Sequence, residues 1–273
     1  MKSRHATLLS LAVLLWAGRS QAQAITEDAA SISTTAVDEP LLTPKLLLYR
    51  IASDQKPIWI FPVHAATGKN WKPTLAVIGI TAGLIALDPT DTPFFQRASY
   101  QQNPVVHGIG HVLSGTSTGL FIAAVPVTFY IAGLLDHDSY SANTALLAGE
   151  AVVDAELVTI ALKDIDRRLT PGQIGANGNF SASWFQNPNR SIGGFGSFPS
   201  GHTVAAFSVA TVFAERYRSH HWVPWVAYGL AGVVALSRLN VQAHFPSDIF
   251  LGAALGYSIS HFVVLRKLVT RQP

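Results

Sequence analysis

The sequence predicts an all-α fold, a helical bundle with about six core helices. Apolar runs of helical length alternate with polar breaks from Thr74 onward. Strand signals, which would be short alternating runs between turn residues, are nearly absent. The polar residues able to do chemistry stand at the ends of the runs, as they do when helices bring a site to one end of a bundle.

Taken in order, residues 1–24 begin with Lys2 and Arg4, continue through an apolar stretch and end in Ala22-Gln23-Ala24. That is the pattern of a signal peptide with a small-residue cleavage site, and the apolar stretch is short for a membrane anchor. Residues 25–72 read as an N-terminal extension. Its first part is small, polar and acidic; its second, with Pro44, Pro57 and Pro62, reads as a short helix and a loop wrapping the domain. The domain itself is expected over 73–269. Its helices are expected at 74–87, 119–135, 144–163, 203–216, 222–236 and 247–268. Between the third and fourth, residues 172–196 form a link rich in Gly, Asn and Ser that carries Phe180, Trp184 and Phe185. Long links of this kind are often lids over a site.

The chemistry concentrates in Ser197-Phe198-Pro199-Ser200-Gly201-His202-Thr203 and in Ser237-Arg238, His244 and Asp248. A helix start after Pro199 presents free N–H groups and the positive end of the helix dipole to an anion. Gly201 allows close backbone approach, and Ser200 adds a hydroxyl donor. His202 would stand beside a bound phosphate, placed to protonate a departing alcohol. His244 precedes a helix opened by Pro246, with Asp248 one turn further on; a carboxylate on one ring nitrogen leaves the other free to attack. Arg238 supplies a permanent planar charge for two phosphate oxygens.

These motifs resemble the type 2 phosphatidic acid phosphatase (PAP2) and vanadium haloperoxidase superfamily over about residues 70 to 268. Pro-Ser-Gly-His and Ser-Arg-x5-His-x3-Asp match in full. The resemblance implies His244 as nucleophile, Asp248 as its orienting partner and His202 as general acid. It also implies that Lys163, Ser200, Gly201 and Arg238 hold the phosphate. The chain departs from the family's Lys-x6-Arg-Pro part: Lys163 and Pro171 are in register, but Thr170 stands in the arginine position. Arg168, matching the first arginine of relatives with Arg-x-Arg-Pro, is the expected replacement for the lost charge; the alternative is a site that binds phosphate more weakly.

The function implied is a metal-independent phosphatase acting on phosphomonoesters or lipid phosphates and pyrophosphates through a phosphohistidine. It needs no cofactor, and vanadate would inhibit it. The alternatives are a haloperoxidase with vanadate as cofactor, or a degenerate phosphate-binding member. Removing the leader takes Lys2, Arg4 and Arg19 and lowers the formal charge from +3 to zero, so nothing favours nucleic acid as a partner. The absence of cysteine excludes disulfides and thiol chemistry. No metal site is expected. Glu150 with Asp154, and His107 with His111, have ligand-like spacing but read as structural pairs. Glu156 shares a helix face with Lys163 and either holds the lysine in place or makes an ordinary polar contact.

Membrane signals conflict. Counting six crossings from a cleaved N-terminus puts the site in the cytoplasm, whereas loop charges put it outside. The expectation is an exported protein, periplasmic or extracellular, soluble or attached to a membrane surface, with an integral membrane protein as the alternative.

Overall fold

The computed structural model describes residues 39–68, 71–113, 115–188 and 191–269. The expected signal peptide lies outside the described residues. The described residues from 40 onward form one compact unit. The described elements are helical throughout, as the run pattern requires: α1 (Pro44–Thr67), α2 (Trp71–Gln96), α3 (Ala98–Gln101), α4 (Pro104–Val112), α5 (Thr116–Leu135), α6 (Ser139–Asp166), α7 (Pro171–Ile174), α8 (Gly201–Arg216), α9 (Trp222–Asn240), α10 (Pro246–Ile259) and α11 (Arg266–Val269). A 3₁₀ turn spans Phe180–Ala182, and a π-helical stretch, Ser260–Leu265, joins α10 to α11.

The six expected helices are α2, α5, α6, α8, α9 and α10, each at its expected place. Two regions differ. The short helix expected after residue 41 is the 24-residue α1. Thr43 caps it by accepting from Leu46 N at 3.2 Å, and Pro44 sits in the first turn, where its missing N–H costs nothing. Buried Arg50 of α1 donates from Nε to both Glu150 oxygens of α6, at 2.7 and 3.0 Å. The helix thus continues through Pro57 because tertiary contacts outweigh the lost backbone bond. The second difference is α2, which runs on through Pro89 and Pro93 and buries Asp88 and Thr92.

The core lies between α6, α8, α9 and α10. Leu147, Ala148 and Ala151 of α6 pack with Val209, Val212 and Phe213 of α8 and with Val264. α10 runs against α8 at glycine distance: a Cβ on Gly256 would lie 2.5 Å from the Val204 carbonyl, and one on Gly252 would lie 2.9 Å from that of Ser200. This close approach brings the first turns of α8 and α10 side by side.

Among the described residues, four segments are long and apolar enough to cross a bilayer: α2, α5, α9, and α10 with its π-helical extension. Only 11% of the most apolar window is buried in α2 and in α5. Exposed apolar surface on that scale needs an apolar surrounding. The chain is a membrane protein, so of the two kinds of protein left open by the sequence the described helices favour the integral one.

Candidate active site

The site forms where the end of α6 and the starts of α8 and α10 meet. Backbone bonds join the three motif segments. Ser197 N donates to the Arg168 carbonyl at 2.8 Å, and Ser200 N donates to that of Asp248 at 3.0 Å. Phe245 caps α10, and its N donates to Asp248 Oδ2 at 2.8 Å.

His244 is held by Nδ1. That nitrogen lies 2.7 Å from the Ser197 carbonyl oxygen and 3.4 Å from Asp248 Oδ2. A carbonyl only accepts, so Nδ1 carries the proton and Nε2 keeps its lone pair. The ring's closest partner is therefore a backbone carbonyl, with Asp248 behind it. Asp248 is fully buried and also accepts from Ser197 Oγ. Burial is the largest influence on His244 and pushes its pKa down, so the ring is neutral.

His202 is the second residue of α8. Burial, then the charges of Arg238, His244 and Lys163, push its pKa down to about 4, opposed by a hydrogen bond to the Gly115 backbone. Three separate sequence segments thus bring Lys163, Arg238 and His244 within electrostatic reach of one imidazole. Lys163 Nζ donates to the Gly196 carbonyl at 2.7 Å. Arg238 is buried and donates from Nε to Ser237 Oγ at 3.0 Å and from Nη2 to the Leu113 carbonyl. Ser200 caps α8 and receives a hydrogen bond from Thr203 Oγ1 at 2.9 Å, and Gly201 opens the helix.

Arg168 stands elsewhere than expected. Its Nη1 donates to Asp248 Oδ1 and its Nη2 to Asp88 Oδ2, both at 2.7 Å. Nη1 also reaches Ser247 Oγ at 2.8 Å, and Nε reaches Ser183 Oγ at 3.1 Å. The guanidinium is sandwiched by Phe245 and Trp184, 3.8 and 4.3 Å from the ring centroids. With 1% of its surface exposed and four of five N–H groups engaged, it has no fork left for phosphate. It buttresses Asp248 from behind, so its assignment as a phosphate ligand is corrected. Thr170 is a helix cap: it accepts from Gln173 N at 3.2 Å and donates its own N–H to Gln173 Oε1 at 2.9 Å.

Sequence reasoning missed Asp88, Ser247 and the positioning role of Ser197. Asp88 was findable as an acid interrupting an apolar run immediately before a proline. The pair Glu150 and Asp154 forms a buried group with Asp54 of α1, their ligand atoms within 4.8 Å. Arg50 bridges Glu150, and Lys267 pairs with Asp54, so two cations already answer three carboxylates. His107 and His111 stack with centroids 6.3 Å apart.

From α5, α6 and α8 a cleft of about 670 Å³ leads to this place. Its polar lining is Glu156, Lys163 and His202; the rest is glycine, proline and apolar side chains such as Ile122, Val152 and Val209. Gly193 and Gly194 of the 172–196 link also line it, held by Asp164, whose Oδ1 accepts from Gly194 N at 2.9 Å.

Fold and site define an all-α membrane protein in which a backed histidine stands near Lys163, Arg238 and His202. The model of the PAP2 superfamily matches residues 141–270 of this chain. The chain is similar to the lipid A 1-phosphatase of Porphyromonas gingivalis, 35% identical over 79 residues, which are 28% of this chain and 18% of that protein. It is also similar to the probable diacylglycerol pyrophosphate phosphatase 1 of Schizosaccharomyces pombe, 36% identical over 87 residues, 28% of this chain and 31% of that one. A lipid A 1-phosphatase of Rhizobium johnstonii is 28% identical over 203 residues, 68% of this chain and 77% of its own length. The chain spans less than a third of the length of the first two.

Removing the Arg168 side chain should cost about 3–5 kcal/mol, because it leaves Asp88 and Asp248 buried without their shared cation. Thermal unfolding of Arg168→Ala in detergent checks this; wild-type stability in that variant would contradict the buttress.

Proposed function

We propose that the protein is a metal-independent lipid phosphatase that works through a phosphohistidine on His244. The observation that carries this reading is the tautomer of His244: Nδ1 is committed to a carbonyl and a carboxylate, so Nε2 is free for in-line attack. Lys163, Arg238 and the N-terminus of α8, with Ser200 and Gly201, supply positive charge and donors for the phosphate oxygens. The P–O bond to the leaving group breaks as the N–P bond forms, and His202 gives its proton to the departing oxygen. His202 then takes a proton from water, whose oxygen displaces His244 and releases phosphate. The cleft's apolar walls suit an acyl or prenyl chain beside the polar end where the phosphate sits. The relatives named for lipid phosphate and pyrophosphate substrates support the same class.

The site is proposed to open on the non-cytoplasmic side. The ends of α8 and α10 away from it carry Arg216, Arg218, Arg266 and Lys267, and clustered loop cations stay in the cytoplasm.

The purified protein in detergent should hydrolyse phosphatidic acid or a polyprenyl pyrophosphate in EDTA and be inhibited by vanadate. His244→Ala should abolish both turnover and the acid-labile phosphoenzyme. A phosphoenzyme that survives this substitution, or activity that requires an added divalent metal, would overturn the mechanism.

The acidity of His202 sets the expected pH dependence. With its pKa near 4 in the free site, the protonated fraction grows as pH falls from 8 towards 5. The pKa of the nucleophile His244 is also lowered, chiefly by burial, which favours its neutral form. The kcat/KM should therefore be higher at pH 5.5 than at pH 8, and His202→Ala should lose about 10²–10⁴-fold on poor leaving groups and flatten the profile. An optimum above pH 8 in wild type would contradict the assignment.

Orientation has its own test. The natural chain lacks cysteine, so Gln186→Cys, in the exposed link beside the site, offers a single thiol. It should react with an impermeant maleimide in intact cells, or in spheroplasts where an outer membrane intervenes. Labelling only after lysis would place the site in the cytoplasm.

A further inference from the structure

The cleft contains a carboxylate that phosphoryl transfer does not need. Glu156 lines it with Lys163, Gly201 and His202. A Cβ on Gly201 would lie 3.3 Å from each Glu156 carboxylate oxygen, so the acid rests against the backbone that opens α8. Among the described residues no donor is hydrogen-bonded to it. Lys163 acts on it through charge, while the ammonium donates to the Gly196 carbonyl at 2.7 Å. A fixed negative charge beside an anion site weakens phosphate binding unless the incoming molecule brings a donor of its own.

We propose that Glu156 is a specificity-determining residue, accepting a hydrogen bond from a hydroxyl or ammonium group next to the phosphate of the substrate. The proposal rests on the lipid phosphatase reading and narrows it to lipid phosphates with a free donor on the polar group. A substrate whose neighbouring oxygen is esterified offers only acceptors. It would press against a desolvated, unpaired carboxylate, and sites built to hydrogen-bond a substrate hydroxyl reject analogues that lack it.

Two glycerol phosphomonoesters in the same mixed micelles test this. Phosphatidylglycerol phosphate has a free hydroxyl on the carbon beside the phosphorylated one; in phosphatidic acid that neighbour is esterified. Wild type should prefer the first. In Glu156→Gln, kcat/KM on phosphatidylglycerol phosphate should fall about tenfold or more, through loss of a charge-assisted bond. On phosphatidic acid it should rise, since the repulsion is gone, and this gain also shows that the variant is folded. Glu156→Asp should retain part of the preference. Equal losses on both substrates would mean that Glu156 only holds Lys163 in place and would overturn the proposal, as would a wild type without preference. Turnover of neither substrate by wild type would instead overturn the phosphatase reading and this inference with it.

Discussion

The site depends on one buried cation held between two buried anions. Arg168 bridges Asp88 of α2 and Asp248 of α10, and both acids are fully sequestered. Two helices, the segment after α6 and the 172–196 link meet on that guanidinium. Charges taken out of water are tolerated only when their hydrogen-bonding capacity is filled. Here it is filled: Asp88 also accepts from Ser247 N and Oγ, and Asp248 from Phe245 N and Ser197 Oγ. Arginine suits the place because its rigid fork serves two carboxylates while its faces stack on Trp184 and Phe245. Fixing Asp248 in this way fixes what stands in front of it, the Nδ1 edge of His244.

The same arrangement explains how polar groups survive in a largely apolar bundle. Asp88 interrupts a segment long and apolar enough to span a bilayer, but it points at protein and meets a cation there. The Thr90 hydroxyl in the same segment is satisfied locally, donating to the Leu87 carbonyl at 2.7 Å. Arg50, Glu150, Asp54 and Lys267 repeat the principle further down α6. Glu150 lies 13 residues before Lys163 in the chain, roughly 20 Å along the helix at 1.5 Å per residue. The two charged centres are therefore separate. One ties α1 and the C-terminal stretch to the bundle, and the other shapes the cleft's end.

The helices and the convergence of the motifs were legible because both are local properties. Apolar periodicity marks α5, α6, α8, α9 and α10, and alternation of direction along the chain brings the end of α6 to the starts of α8 and α10. The partners of Arg168 were not legible. Asp88 and Asp248 each lie 80 residues from it, on opposite sides in sequence, and no local pattern links them. Asp88 lay just outside the helix expected over 74–87; the helix continues through Pro89 and Pro93 because tertiary contacts outweigh the lost bonds. α1 was underestimated for the same reason, with Pro57 and Pro62 read as a break and the Arg50 to Glu150 pair invisible from either residue alone.

Thr170 connects these observations. Where the family has an arginine, this chain has a helix cap, and Gly172 next to it donates its N–H to the Gln242 carbonyl at 2.9 Å, bracing the loop that carries His244. The missing guanidinium is not returned by Arg168, whose donors face the two aspartates. The cations near the proposed phosphate position are then Lys163 and Arg238, with Glu156 opposing them. Under the proposed mechanism a bound phosphate dianion would meet a net charge of only about one from these three groups, so a proton on His202 would best answer its second charge. Phosphate binding therefore favours the protonated ring that burial and neighbouring cations disfavour in the free site. In the proposed mechanism the general acid is thus armed by its substrate, and the proton that neutralises the phosphate in the complex leaves with the alcohol in the first step.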